Sequence, residues 1–531
     1  MDARPGPTAL QQLVTMFDTA LRALGSRPTS RQLEDWSVLV HEAMSSRGRS
    51  FHTTDHVFEI AEGAPALPAL ASIFHDVVYV QIDGGLPGRL QSKLGDAIEQ
   101  VASGTAIKAY DASADKIRSM VLTIFGFQPG QVLSPFSGLN EFLSALLAAR
   151  LLSEVLAFPM LARITACIEA TIPFRGASPD GLYPCELLHR RLVEANKVFA
   201  LGLSDDEVVN TIHSSVEVTN RDLGNFAYED TAAFLDNTWK LLPESNASLR
   251  MGSVYTIREY RIAMQKMEGF MSNLDAKRVF HSFAGVPSDE KLVELTDRAA
   301  RNLRLGTVYL RTKLIVAAIL EALAEITGGD APMALFMGDL PEKGRNPMRL
   351  EDFLPVSEIT APDVEPTILR LMVEGRASET SFDVKHSPIA GFIYPSLGTE
   401  GVEKALGAAR SYFGSTLSAQ DFLRSLPHFR SSQPSRLRVL ASRSRELKLS
   451  KRSRRPEVVR DNPHDRRCTS PARHLDRPQL PHAALRSRCS PICFAARLEH
   501  ARTTLRHHAL RRTLSAFIAC SPQLDLSFEL A

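Results

Sequence analysis

Two histidines and a histidine–aspartate doublet stand close together near the start of this 531-residue chain. His52 and His56 are four positions apart, which on a helix puts both on one face. His75 and Asp76 are adjacent, near the end of an apolar run of helical period, Ala69–Val78. Imidazole nitrogens and carboxylate oxygens form a ligand set for a divalent ion such as Mn, Fe, Co, Zn or Ni, with Mg also compatible. Such a mixed shell can leave positions for water and a phosphate oxygen, where a metal lowers the pKa of the water and neutralises phosphoryl charge. A single histidine in a helix is more often a hydrogen-bonded packing residue, and adjacent His-Asp arises often by chance. The weight therefore rests on the doublet's setting, Phe74-His75-Asp76-Val77-Val78-Tyr79, with two histidines on the stretch before it. His213, Cys167 and Cys185 read as ordinary interior or surface residues.

The elements that must position these groups read as nearly all helix. Apolar residues recur at three and four in Leu10–Leu24, Leu33–Met44, Ala69–Val78, Leu139–Leu156, Glu186–Ala200 and Val208–Val218, and again in Ser288–Leu303, Thr307–Ile326 and Val402–Phe413. Ser204 through Glu207 has the pattern of a capping box, and Ser288 offers an N-cap before an acidic first turn. Gly and Pro mark loops at Asp83–Pro87, Phe125–Phe136, Pro173–Pro184, Gly328–Pro332 and Gly338–Arg349. No clean run of alternating strands and no internal repeat is visible. Gly285-Val286-Pro287 interrupts two helical patterns, so a boundary is expected there, dividing 1–284 from an accessory helical domain at 288–427.

The net charge of +2, from 62 basic and 60 acidic residues, hides two different compositions. Residues 431–531 hold 21 Lys or Arg against 8 acidic residues, while the first 430 hold 41 against 52. The body is thus acidic, which excludes a uniformly basic nucleic-acid-coating protein. The tail carries no sustained period and holds four of the six cysteines. Three readings of it stay open: a frame-shifted or unselected stretch, a disordered basic arm that would neutralise phosphates, or a zinc module around Cys489 and Cys493. The chain has no apolar stretch of roughly 18 residues for a membrane span and no apolar signal core near Met1, so a cytoplasmic location without membrane partners is expected.

The segment from Arg49 resembles the HD-domain metal-dependent phosphohydrolases, especially the group with an R-x-[YF]-H-x-x-x-H-[IV] element before F-H-D-x-V-Y. Arg49, Phe51, His52, His56 and Val57 supply the first element, and Phe74 through Tyr79 the second. The resemblance implies an all-α, HD-like helical bundle, with the metal held by a histidine, the doublet and a later aspartate. It places the first three ligands on His56, His75 and Asp76. For the fourth, Asp222 is the candidate, because the apolar period Val208, Ile212, Val216, Thr219 continues to Asp222 or Leu223. A turn-forming aspartate at a helix end is the alternative reading, and Asp205, Asp206 and Asp236 are weaker choices. The distance from the doublet to Asp222 implies a helical insertion between Gln91 and Leu161.

The resemblance further implies hydrolysis of a small phosphorylated substrate, a nucleotide among the candidates. His52 or Arg175 would contact the phosphate. Where relatives often carry a further histidine, this chain has Cys167 through Arg175 without one. Glu169 in that stretch is open as a general base, an extra ligand or a buried hydrogen-bonded carboxylate. A non-catalytic helical regulator retaining a metal or nucleotide site is the rival function. A homodimer is compatible with the accessory region, and nucleic acid enters as a partner only if the basic tail is genuine.

Overall fold

In the computed structural model the described residues are 6–250, 255–333 and 360–426. They are predominantly all-α, with seventeen α-helices and one small three-stranded sheet. The expected loop at 338–349 and the whole Arg-rich tail, with its three readings, lie outside the described residues. No helix among the described residues is long and apolar enough to cross a membrane.

The chain opens with α1 (Ala9–Ala23) and α2 (Ser30–Met44). Each starts at a threonine whose hydroxyl accepts from the backbone of a glutamine three residues on, while that glutamine reaches back to the cap. These reciprocal bonds satisfy amides that a helix start otherwise leaves open. Then come α3 (Thr54–Ala61), α4 (Ala66–Phe74), the single turn α5 (Val80–Asp83) and α6 (Gly88–Leu94).

The stretch expected as a helical insertion holds two helices, α7 (Lys116–Phe125) and α8 (Leu139–Leu152), and also the sheet. Its strands are β1 (Ile98–Val101), β2 (Gly104–Ile107) and β3 (Val132–Leu133), antiparallel in that order, with Ile98 opposite Ile107 and Thr105 opposite Leu133. The sequence carries no clean run of alternating strands, and this small sheet is consistent with that. The strands are too short, and β1 too exposed, to write an alternating pattern. Of the fourteen residues of α8 all but Arg150 are buried, as fits a helix apolar on every side. It is a central pillar of this half of the molecule.

Against it pack α7 and α9 (Phe158–Ala170), and α9 in turn meets α10 (Pro184–Val198) and α11 (Asp205–Asp222). The capping box at α11 forms as expected: Ser204 Oγ accepts from the Glu207 amide, and Glu207 accepts from the Ser204 amide and hydroxyl.

Beyond α11 the chain builds α12 (Thr231–Ser245), α13 (Ile257–Asn273), α14 (Asp289–Ile326), α15 (Pro366–Val373), α16 (Pro388–Phe413) and α17 (Ala419–Ser425). The two helices expected over 288–326 are one helix of 38 residues, about 57 Å long. Gly306 does not break it. A Cβ there would stand 3.1 Å from Phe234 and 3.2 Å from the Met271 sulfur, so glycine lets α12 and α13 close on the rod. The helix expected at Val402–Phe413 is the second half of α16, which kinks at Gly398 with φ 63°.

The buried apolar side chains fall into two clusters, Leu13 to Val218 and Leu223 to Leu426. The division between them lies at the end of α11, where Asp222 sits. The interruption at Gly285–Pro287 falls within the residue span of the second cluster.

Candidate metal centre

The doublet lies just past the end of α4, whose last turn is buried against α1 through Phe17 and Phe74, with ring centroids 5.5 Å apart. His75 caps this helix in αR conformation. Its Nδ1 lies 2.8 Å from the Ser72 carbonyl oxygen, which can only accept, so Nδ1 carries a proton and Nε2 is left with a lone pair for a metal or, without one, a second proton. That Nε2 is buried and finds no hydrogen-bond partner. It stands 2.9 Å from Asp76 Oδ2 and 3.4 Å from Asp222 Oδ1.

His56, on α3, brings its Nε2 to 3.0 Å from the same Asp222 oxygen. One donor atom from each of His56, His75, Asp76 and Asp222 lies within 4.8 Å of the other three. The structure thus brings together the four residues expected as ligands, and the group can hold a metal ion. The donor chemistry fits. A lone pair facing two carboxylates in a buried pocket repels them unless a proton or a cation sits between.

The electrostatics carry the same signature. Burial opposes charge on His75, yet Asp76 and Asp222 outweigh it and raise the imidazole well above its ordinary value. Burial would raise the Asp76 carboxyl, but His75 and then His52 hold it far below the ordinary carboxylate range. Asp222 is likewise lowered against its burial by His75 and His56.

Arg49 holds the segment in place. Its side chain is fully buried with that of Asp83, which it meets through Nε at 3.1 Å and a terminal nitrogen at 2.6 Å. The remaining donors bond the carbonyls of Asp76 at 2.6 Å and Val77 at 2.9 Å. The arginine of the motif is therefore a strut behind the doublet, and Asp83 is its counter-ion.

His52 lies outside α3, which begins only at Thr54, so the shared helical face expected for His52 and His56 is corrected. The amides of Ser50, Phe51 and His52 are taken by Glu244 Oε1, at 2.7, 2.8 and 3.1 Å, and not by the preceding turn of a helix. The His52 ring is packed edge-on to Tyr79 at 4.4 Å, and its Nε2 stands 4.0 Å from Asp76 Oδ2. Burial works against its charged form, but Asp76 and Glu244 raise it above the ordinary value.

Glu169 and Arg175 are placed together, and neither is among the four converging donors. The buried Glu169 carboxylate meets Arg175 and Arg191, each at 2.6 Å. Burial would raise it, yet Arg175 and Arg191 lower it. Four of the five Arg175 N–H groups are engaged by Glu169 and the Ile172 carbonyl. Asp205 and Asp206 are exposed at the far end of α11, and Asp236 faces Arg376 at 3.5 Å and Ser378.

Two residues escaped the sequence. Glu141 on α8 is buried, and its Oε2 has no partner. Burial first, then the nearby charge of Asp76, pushes its carboxyl up to about 8. Its neighbours Asn140 and Ser144 accept from the amides of Val80 and Val78, which ties α8 to the chain just after the doublet. An acid in a helix of mainly apolar residues was the signal that could have found it. Glu244 had no such signal: it reads as an ordinary acid at the end of α12.

No protein-family model, curated protein or solved structure matches this chain.

Proposed function

We propose that this chain is an HD-type metal-dependent phosphohydrolase, acting in the cytoplasm on a small phosphate ester such as a nucleotide. One observation carries the reading. Four donors of the right types converge, and one of them, His75 Nε2, is buried facing two carboxylates with no hydrogen-bond partner. The order of the residues, Arg49-x-Phe51-His52 through His56 and then Phe74 to Tyr79, supports the same family.

His56, His75, Asp76 and Asp222 would hold the divalent ion, which when bound supplies Lewis acidity and a lowered pKa for water. The protein's own groups do the rest. His52, oriented beside Asp76, binds a phosphate oxygen and stabilises charge that develops there. Glu141, whose carboxyl burial and the nearby Asp76 push up to about 8, keeps a protonated acid close to the doublet at neutral pH. Arg175 keeps one N–H for substrate while Glu169 fixes its plane.

The test is phosphate release from a panel of nucleoside mono-, di- and triphosphates by metal-loaded protein, beside the His75→Ala/Asp76→Ala double variant. Release by the wild type and none by the variant is expected. Stoichiometric metal with no release from any member would favour the non-catalytic regulatory reading.

A further inference from the structure

We propose that Glu244 is a positioning residue of the site: from α12 it fixes the ring plane and tautomer of His52, so the second helical region completes the centre that the first one builds. This rests on the phosphohydrolase reading only for the role given to His52.

The geometry separates two jobs within one carboxylate. Oε1 accepts from three successive backbone amides and so shapes the 50–52 turn. Oε2 is left for the ring, and lies 2.6 Å from His52 Nδ1. The side chain is 3% exposed, so water does not compete for these bonds. The Ser50 hydroxyl adds a bond to the Lys240 carbonyl one turn earlier on α12. An ionised carboxylate accepts only, so the proton must sit on Nδ1 and the lone pair, or a second proton, on Nε2.

Nε2 is the nitrogen that faces the metal centre. At 4.0 Å from Asp76 Oδ2 it is beyond hydrogen-bond reach, so its bonding capacity remains for a substrate oxygen. Phe51 and Tyr79 pack edge-on to the ring at 4.8 and 4.4 Å and limit its tilt. A turn-stabilising role alone would need one oxygen. The second is placed where it sets which nitrogen the substrate meets.

Glu244→Gln separates the jobs. The amide oxygen can keep the three backbone bonds, but the –NH2 group then faces Nδ1 and forces it to accept, which moves the ring proton to Nε2. The full-length chain, loaded with Zn2+ and labelled with 15N-histidine, reports the tautomer by NMR, with His52→Asn giving the assignment. Inorganic phosphate is titrated calorimetrically into wild type, both single variants and the double variant, and the nucleotide panel is run beside it.

Wild-type His52 protonated at Nδ1 is expected. Glu244→Gln should keep full zinc stoichiometry, show the proton on Nε2, and lose about 10–100-fold in phosphate affinity or turnover, the usual effect of removing such an orienting partner. In the His52→Asn background the same change should have no further effect. Wild-type His52 with its proton on Nε2 alone, no phosphate binding to the wild type, or an undiminished Glu244→Gln effect in that background would each overturn the proposal. If the panel yields no phosphate release, hydrolysis falls, while the tautomer and the phosphate titration still decide the part played by Glu244.

Discussion

Arg49→Met offers a sharp physical test of how the doublet is held. The substitution keeps most of the side-chain length and removes the guanidinium from a place where neither it nor Asp83 meets solvent, with exposures of 0% and 1%. It leaves the Asp83 carboxylate buried with two bonds lost and the carbonyls of Asp76 and Val77 without their donors. Removing one member of a buried pair typically destabilises by about 3–5 kcal/mol, because the remaining charge is uncompensated. That is a large share of the total stability of an ordinary domain. Urea unfolding at pH 7.5 in the presence of chelator measures the loss. Arg49→Met/Asp83→Leu should recover much of it, since no charge then remains buried, and the double-mutant cycle should show strong coupling. The metal affinity of Arg49→Met should also fall, because the Asp76 backbone is no longer tied. A variant within about 1 kcal/mol of wild type, or an additive cycle, would refute the strut.

Two further outcomes follow from the site's electrostatics. His75 is raised above its ordinary value of 6.5 by Asp76 and Asp222, against its burial. Its contribution to the metal-free fold is therefore complete below pH 6.5 and is lost as pH rises through the raised value. Metal must displace that proton, so calorimetry in buffers of different ionisation enthalpy should show proton release at pH 7 and tighter binding as pH rises; binding without release would contradict the assignment. Glu141, lifted from 4.5 to about 8 by burial, acts in the same direction, since its folded form must stay protonated. The stability of Glu141→Gln relative to wild type should grow by on the order of 2–4 kcal/mol between pH 5 and pH 8. A difference that does not change with pH would show that Glu141 is ionised in the fold.

What the sequence revealed follows from the range of the interactions involved. The doublet and His56 were legible because a short motif carries them. Asp222 was legible because the buried side of α11, through Val208, Ile212, Val216 and Thr219, points along a 3.6-residue period to its last turn. His52 was misplaced onto a helix because its amide is held by a carboxylate 192 residues away, and no local pattern records that bond. The same distance hid Glu244. The α14 rod was read as two helices because glycine is a weak helix former, while its tight fit against Phe234 and Met271 is a tertiary matter. Glu169 looked chemical in isolation, and only the fold shows the two arginines that hold it.

The most direct measurement is elemental metal analysis of the full-length protein after equilibration with Mn2+ or Zn2+ and removal of free ion. About one tightly held ion per chain is expected from the set of four donors found among the described residues, and its loss in His75→Ala/Asp76→Ala with the helical far-UV spectrum intact. A wild type that retains no ion, or a double variant that retains as much as the wild type, would contradict it.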